Sequence, residues 1–155
     1  MIARTNCRLR LCITLLALNI VFIWGNSLLP GEISGALSHW LKDLLSNLLH
    51  MNPPGDDGGH GLLRKAAHFT EFATLGICLS YLVRMIRERP WEHLAMPFIG
   101  GALVACMDEF IQCFVPDRGP GILDVMIDSA GVLTGIGLFC LVYFMKNRGK
   151  LSAEG

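Results

Sequence analysis

The stretch Met107–Ser129 reads MDEFIQCFVPDRGPGILDVMIDS and lies between two long apolar runs. Its polar and charged side chains stand where a simple membrane anchor would carry leucine and valine; they are Asp108, Glu109, Gln112, Asp117, Arg118, Asp124 and Asp128. Ionisable groups at membrane depth are costly, and they mark a binding site, an ion pathway or a buried pair. The function of the chain therefore depends on what these groups face.

The composition indicates that lipid surrounds most of this chain. Of its 155 residues, 52% are hydrophobic and only 17% are charged, which is far from the surface of a soluble protein. The length predicts one domain over residues 1–155. The formal net charge is zero, so there is no overall field to attract nucleic acid, and we expect membrane lipids as partners instead.

Four apolar runs predict transmembrane helices at about 11–29, 66–86, 94–115 and 122–145. Pro30-Gly31 stops the first helix, and Pro116 stops the third near Val115 because a proline disfavours helix before it. Between 33 and 50, apolar residues recur at helical spacing opposite polar ones, which predicts an amphipathic helix in the interface. The expected fold is an all-α membrane protein with four spans and this interfacial helix. In the fourth run, the spacing of Gly131 and Gly135 permits close helix contact.

The loops carry an uneven distribution of lysine and arginine, and this asymmetry sets orientation. Nine of these residues lie in the N-terminus, the middle loop and the C-terminal tail, whereas four lie on the opposite side. Both termini are therefore predicted to be cytoplasmic. The interfacial helix and the stretch Met107–Ser129 are predicted to lie on the outer side.

This topology brings three carboxylates to a common depth. Glu71, Asp108 and Asp128 lie six or seven residues from the outer ends of their predicted helices, or roughly 9 to 10 Å at the helical rise. Residues three or four apart share a helix face, which adds neighbours to each carboxylate. These neighbours are Lys65, His68, Gln112 and Asp124. The sequence thus predicts a polar pocket that opens to the outside.

The residue types in this pocket suggest several roles. The acid/base candidates are His68, Glu71, Asp108 and Glu109, and Lys65 and Arg118 are placed to meet a phosphate. So many carboxylates require pairing, proton sharing or a bound cation. The ligands of a divalent cation, if one binds, would come from His68, Glu71, Asp108, Asp124 and Asp128. Two alternatives stay open: the polar groups only hold the helices together, and Glu109 turns to another face to pair with Arg118.

Three segments resemble the VanZ-like family of small bacterial membrane proteins. They are NSLLPGEISGALS (Asn26–Ser38), KAAHFTEFATLG (Lys65–Gly76) and DEFIQCFVPDRGPGILDVMIDSAGVLTG (Asp108–Gly135), in the order of the family. PDRGPG departs from the family turn, which is closer to PGR followed by Gly-Ser. Asp128 stands where asparagine often occurs, which makes this pocket more acidic.

The resemblance implies a multi-pass protein of the bacterial cytoplasmic membrane, associated with resistance to glycopeptides such as teicoplanin. It also implies functional positions, with Gln112, Asp124 and Asp128 in substrate binding beside Lys65 and Arg118. Ser27, Ser34 and Ser38 match the family pattern and are expected to contribute to substrate binding.

Two functions fit the predicted pocket, and the sequence leaves the choice between them open. The first is a cell-envelope enzyme that acts on a phospholipid head group or a lipid-linked envelope precursor. The second is a non-catalytic binding or transport factor for an amphipathic ligand such as a glycopeptide, with the interfacial helix as a lid.

Overall fold

The structure is a computed structural model that describes residues 2–34, 36, 40, 44, 59–89, 92–119 and 121–151. Within these ranges the chain forms four long helices and no strand: α1 (Ile2–Ser27), α2 (Gly59–Ile86), α3 (Glu92–Gln112) and α4 (Ile122–Leu151). Each helix contains a segment long and apolar enough to cross a membrane: Cys7–Ser27, Arg64–Ile86, Glu92–Gln112 and Ile122–Asn147. The predicted class, an all-α membrane protein with four spans, is confirmed. Most of the interfacial helix predicted for 33–50 lies outside the described residues, although 31–34 are helical.

The end of the third span differs from the prediction. α3 ends at Gln112 rather than near Val115. The amides of Phe114 and Val115 bond to carbonyls three residues earlier, at 3.1 Å each, so the chain tightens into turns instead of continuing the α-helix. Pro116 then prevents the helix from resuming, because its ring disfavours helical geometry in the residue before it.

α2 and α4 form the closest helix pair of the bundle, and glycines allow it. A side-chain carbon at Gly131 would lie 2.5 Å from the carbonyl oxygen of Phe69, and one at Gly135 would overlap the carbonyl oxygen of Ala73. The close contact expected at these two glycines is therefore present. Apolar side chains from all four helices form the core beside it, namely Ile23, Phe72, Leu75, Ala105, Val132 and Ile136.

The outer surface of the bundle is apolar along most of its length. Large exposed residues on α4 include Leu138, Leu141, Val142 and Phe144, and similar side chains cover the other helices. In a membrane these residues face lipid, where the exposure of apolar surface has no free-energy cost. Helices are suited to that setting because their backbone groups are satisfied internally.

Successive helices run in alternating directions, so the C-terminal ends of α1 and α3 meet the N-terminal ends of α2 and α4. Contacts of Ser27 with Asp108 and of Lys65 with Asp124 fix this end of the bundle. At the other end, Arg84 lies 3.0 Å from His93 and also contacts the ring of Tyr143. The acidic residues singled out in the sequence all belong to the first of these two ends.

Candidate functional site

The end of α1 contributes a buried serine to the polar interior. Ser27 is completely buried, and its Oγ donates a 2.8 Å hydrogen bond to Oδ2 of Asp108 on α3. Gln112 lies one turn from Asp108, and its Nε2 donates to the same Oδ2 at 2.9 Å and to Ser27 Oγ at 3.2 Å. The three side chains form a closed triangle that fixes one oxygen of Asp108 and leaves the other oriented elsewhere.

His68 on α2 lies between two buried carboxylates. Its Nδ1 is 3.7 Å from Oδ2 of Asp108 and 3.7 Å from Oδ1 of Asp128 on α4. Both aspartates are almost completely buried, whereas the His68 side chain is 14% exposed. Three helices therefore converge on one imidazole, and the imidazole is the member of the group that solvent reaches.

Several oxygens of this group lack hydrogen bonds. Oδ1 of Asp108 and both carboxylate oxygens of Asp128 are buried without a hydrogen-bond partner among the described residues. Oε2 of Glu71 is also buried without a hydrogen-bond partner among these residues. Its Oε1 accepts a 2.8 Å hydrogen bond from Asn26 Nδ2. Buried polar groups are hydrogen-bonded as a rule, so unpartnered carboxylate oxygens call for an explanation.

A narrow cleft lies beside His68, with about 10 Å³ of space for water-sized molecules and about 250 Å³ when its open mouth is counted. Its lining residues are Arg64, Lys65, His68, Glu109, Gln112, Asp124, Ile127 and Asp128. Lys65 is partly exposed, and its Nζ lies 3.9 Å from Asp124 Oδ1. The cleft thus has basic groups near its entrance and an acidic floor.

Glu109 and Arg118 do not form the pair considered for them. Oε2 of Glu109 accepts a 2.9 Å hydrogen bond from the backbone amide of Gly121, which holds the start of α4 against α3. Glu109 also lines the cleft instead of facing away from it.

Arg118 binds the end of α1 instead. Its Nη2 donates to the carbonyl oxygen of Asn26 at 3.0 Å and its Nε to that of Leu29 at 3.2 Å, which satisfies carbonyls that a helix end leaves open. Burial lowers the pKa of the Arg118 guanidinium, and nearby Arg64 adds to the effect. Nη1 has no hydrogen-bond partner among the described residues. Arg118 therefore holds the end of α1 with two of its donors, and its predicted role as a phosphate ligand stays a prediction.

Comparison with known proteins adds the family. The model of the VanZ/LLP1 family matches residues 11–143, which includes the second and third spans, most of the first and fourth, and every residue of the cleft. The chain belongs to the VanZ/LLP1 family. No curated protein and no solved structure matches the chain significantly.

In this VanZ/LLP1 chain, the candidates fall into three groups. His68, Asp108 and Asp128 meet directly, with Ser27 and Gln112 bonded to Asp108. The others around the cleft or close to it are Lys65, Glu71, Glu109, Arg118 and Asp124. Ser34 lies in the helical turn at 31–34 beyond α1, and Ser38 lies outside the described residues.

Sequence reasoning about the VanZ/LLP1 chain did not assign Asn26 to the site. Its side chain bonds to Glu71, and its carbonyl oxygen bonds to Arg118. A neutral amide four residues before Pro30 gave no chemical signal. The position next to Ser27, inside one of the segments that carry the family resemblance, could have indicated it.

The geometry of the VanZ/LLP1 site allows two kinds of chemistry. An imidazole flanked by carboxylates and open to solvent can take up or release a proton. One atom each of His68, Asp108 and Asp128 also lies within 4.8 Å of the others, which is a spacing at which three ligands can share an ion. Glu71 and Asp124, the other metal candidates, are not part of that group.

Proposed function

We propose that this VanZ/LLP1 protein binds the phosphate-bearing head group of a membrane lipid or of a lipid-linked envelope precursor in the His68 cleft. The observation that carries the proposal is the pair of basic side chains that line this cleft. Arg64 and Lys65 line it where the helix α2 enters the membrane, and an acidic floor lies beneath them. Basic side chains at this depth attract phosphate, and they hold it at the level where head groups lie.

The predicted orientation supports the outer side of a bacterial cytoplasmic membrane as the place of binding. Nine lysines and arginines fall in the segments assigned to the cytoplasm and four in the others. A head group bound on that side would be a cell-envelope component. Altered presentation of such a component is how the protein would change susceptibility to a glycopeptide such as teicoplanin.

The position of His68 supports a second candidate function, which is catalysis on the bound lipid. His68 is the solvent-accessible member of a group of two buried carboxylates and an imidazole, which is suited to general acid/base catalysis. A pure binding site for an anion would gain nothing from the acidic floor, since carboxylates repel phosphate. The Asp108–Ser27–Gln112 triangle, by contrast, is adequately explained by helix packing.

The test of binding uses purified protein in nanodiscs with a polyprenyl phosphate or an anionic phospholipid. Binding is measured by native mass spectrometry for the wild type and for the double variant Arg64→Gln/Lys65→Gln. The matched control, Arg87→Gln/Arg89→Gln, removes the same charge from the exposed loop at the other end of the bundle. We expect at least a tenfold loss for the first variant and none for the control. Equal binding by all three proteins would refute the proposal.

The same preparations separate binding from turnover. Conversion of the bound lipid, detected as a new mass, should be lost in His68→Ala while lipid binding persists. Binding with no product at any time would leave the non-catalytic function. Glycopeptide susceptibility of cells that express these variants then shows which of the two activities matters for resistance.

A further inference from the structure

The His68, Asp108 and Asp128 atoms lie close to the mutual spacing of ligands around one ion. Two ligands that each lie about 2.1 Å from the same ion are at most about 4.2 Å apart. Nδ1 of His68 is 3.7 Å from a carboxylate oxygen of each aspartate, and the three ligand atoms all fall within 4.8 Å of one another. Only small side-chain movements would bring all three into a first coordination sphere.

Asp108 keeps one carboxylate oxygen without a hydrogen bond among the described residues, although Oδ2, the oxygen 3.7 Å from His68 Nδ1, already accepts two. Ser27 and Gln112 both donate to Oδ2, while the buried Oδ1 has no hydrogen-bond partner among the described residues. Groups that hold one oxygen of a ligating carboxylate are typical of metal sites. Asp128 is only 1% exposed and has no hydrogen-bond partner in the described part of the chain for either of its oxygens.

Two of the basic side chains near this cluster, Lys65 and Arg118, are directed to other groups. Lys65 lies near Asp124 at the cleft, one helical turn from Asp128. Arg118 directs two of its donors to backbone carbonyls of α1. When both carboxylates are ionised and the imidazole is neutral, the three side chains carry a charge of minus two, which a divalent cation would neutralise. A buried charge without such compensation is strongly unfavourable.

From these three observations we infer that His68, Asp108 and Asp128 bind a divalent transition-metal ion, Zn²⁺ or Mn²⁺. Imidazole favours Zn²⁺, carboxylates favour Mn²⁺, and the set contains no sulfur. Three protein ligands leave coordination positions for water or substrate, and the cleft leads to them. Metal binding is measured without lipid, so this inference and the head-group proposal can fail separately.

The experiment measures metal in the full-length protein, purified in detergent without chelator. Wild type is expected to hold about one equivalent of zinc or manganese by plasma mass spectrometry. Asp128→Asn should lose at least nine-tenths of it. Asp124→Asn is the matched control, since it makes the same change one turn away on the same helix, and it should keep the metal.

A second measurement guards against variants that merely fold poorly. Co²⁺ added to apo protein should give visible d–d absorption in the wild type and in Asp124→Asn, and none in His68→Ala or Asp128→Asn. Each variant is accepted only if it elutes as a single species on size exclusion. A wild type that retains no metal and gives no cobalt band would overturn the inference, and so would equal metal in Asp128→Asn and the wild type.

Discussion

Ser27 Oγ donates a 2.8 Å hydrogen bond to Asp108 Oδ2, and the two residues lie 81 positions apart in the chain. This bond joins the end of α1 to the last turns of α3 in the buried interior of the bundle. It places the oriented carboxylate of Asp108 against His68 of α2. One serine at a helix end thus connects three spans at the candidate site.

Ser27→Ala should reduce the free energy of unfolding by about 1 to 3 kcal/mol, because it removes a donor from a buried carboxylate. Ser80→Ala is the matched control. Ser80 is similarly buried, but its hydroxyl donates to the Gly76 carbonyl oxygen of its own helix, so the hydrogen bond that is lost does not join two helices. The free energy of unfolding of both variants is measured in mixed detergent micelles. An equal reduction in the free energy of unfolding of both variants would show that the Ser27–Asp108 hydrogen bond contributes no more to stability than the bond of Ser80 within its helix.

Gly135→Ala should destabilise the bundle by about 1 to 3 kcal/mol, since the new methyl group forces α2 and α4 apart. The added carbon would overlap the carbonyl oxygen of Ala73. Gly137→Ala introduces the same methyl two residues later, where no atom of another described segment lies within 4 Å. There we expect a change within about 1 kcal/mol, in the stabilising direction, from the higher helix propensity of alanine. Thermal unfolding in detergent distinguishes them, and a reversed order would contradict the packing described.

Arg118→Lys should cost about 1 to 3 kcal/mol of stability, because lysine lacks the planar donors that reach two carbonyls at once. Those carbonyls belong to Asn26 and Leu29. Arg87→Lys, in the exposed segment after α2, serves as the control and should leave stability unchanged. If Arg118→Lys instead kept full stability and lost only lipid binding, Arg118 would be a phosphate ligand after all.

Lys65→Gln should leave stability almost unaltered while weakening head-group binding. Lys65 is 42% exposed and sits 3.9 Å from Asp124, so water screens this ion pair. Pairs of that kind contribute less than about 1 kcal/mol. Chemical unfolding and lipid binding are measured on the same preparation. A large loss of stability with unchanged binding would assign Lys65 to the fold rather than to the cleft.

The predicted orientation has its own test by cysteine labelling. In a chain whose native cysteines are replaced, a cysteine at Gly119 should react with a membrane-impermeant maleimide in intact cells. A cysteine at Arg87, which is also exposed, should react only after permeabilisation. The opposite pattern would place the cleft on the cytoplasmic side and would move the proposed head group to the inner leaflet.

The polar pattern along single helices was sufficient to predict much of the site. The spacing of Asp108 and Gln112 placed both on one face of a helix, and in the structure they are hydrogen-bonded. The alternating directions of the spans placed His68 near Asp128. Residues whose partners come from turns were predicted less well, since neither Glu109 nor Arg118 has the partner considered for it.

The sequence alone determined that this protein is an all-α, four-span membrane protein, because the length and polarity of each run are local properties of the chain. Only the tertiary structure decided which carboxylates meet. That outcome depends on how closely α2 and α4 approach at Gly131 and Gly135, and on Ser27 and Asn26 at the end of α1. These are contacts between distant segments, and no periodicity within one helix contains them.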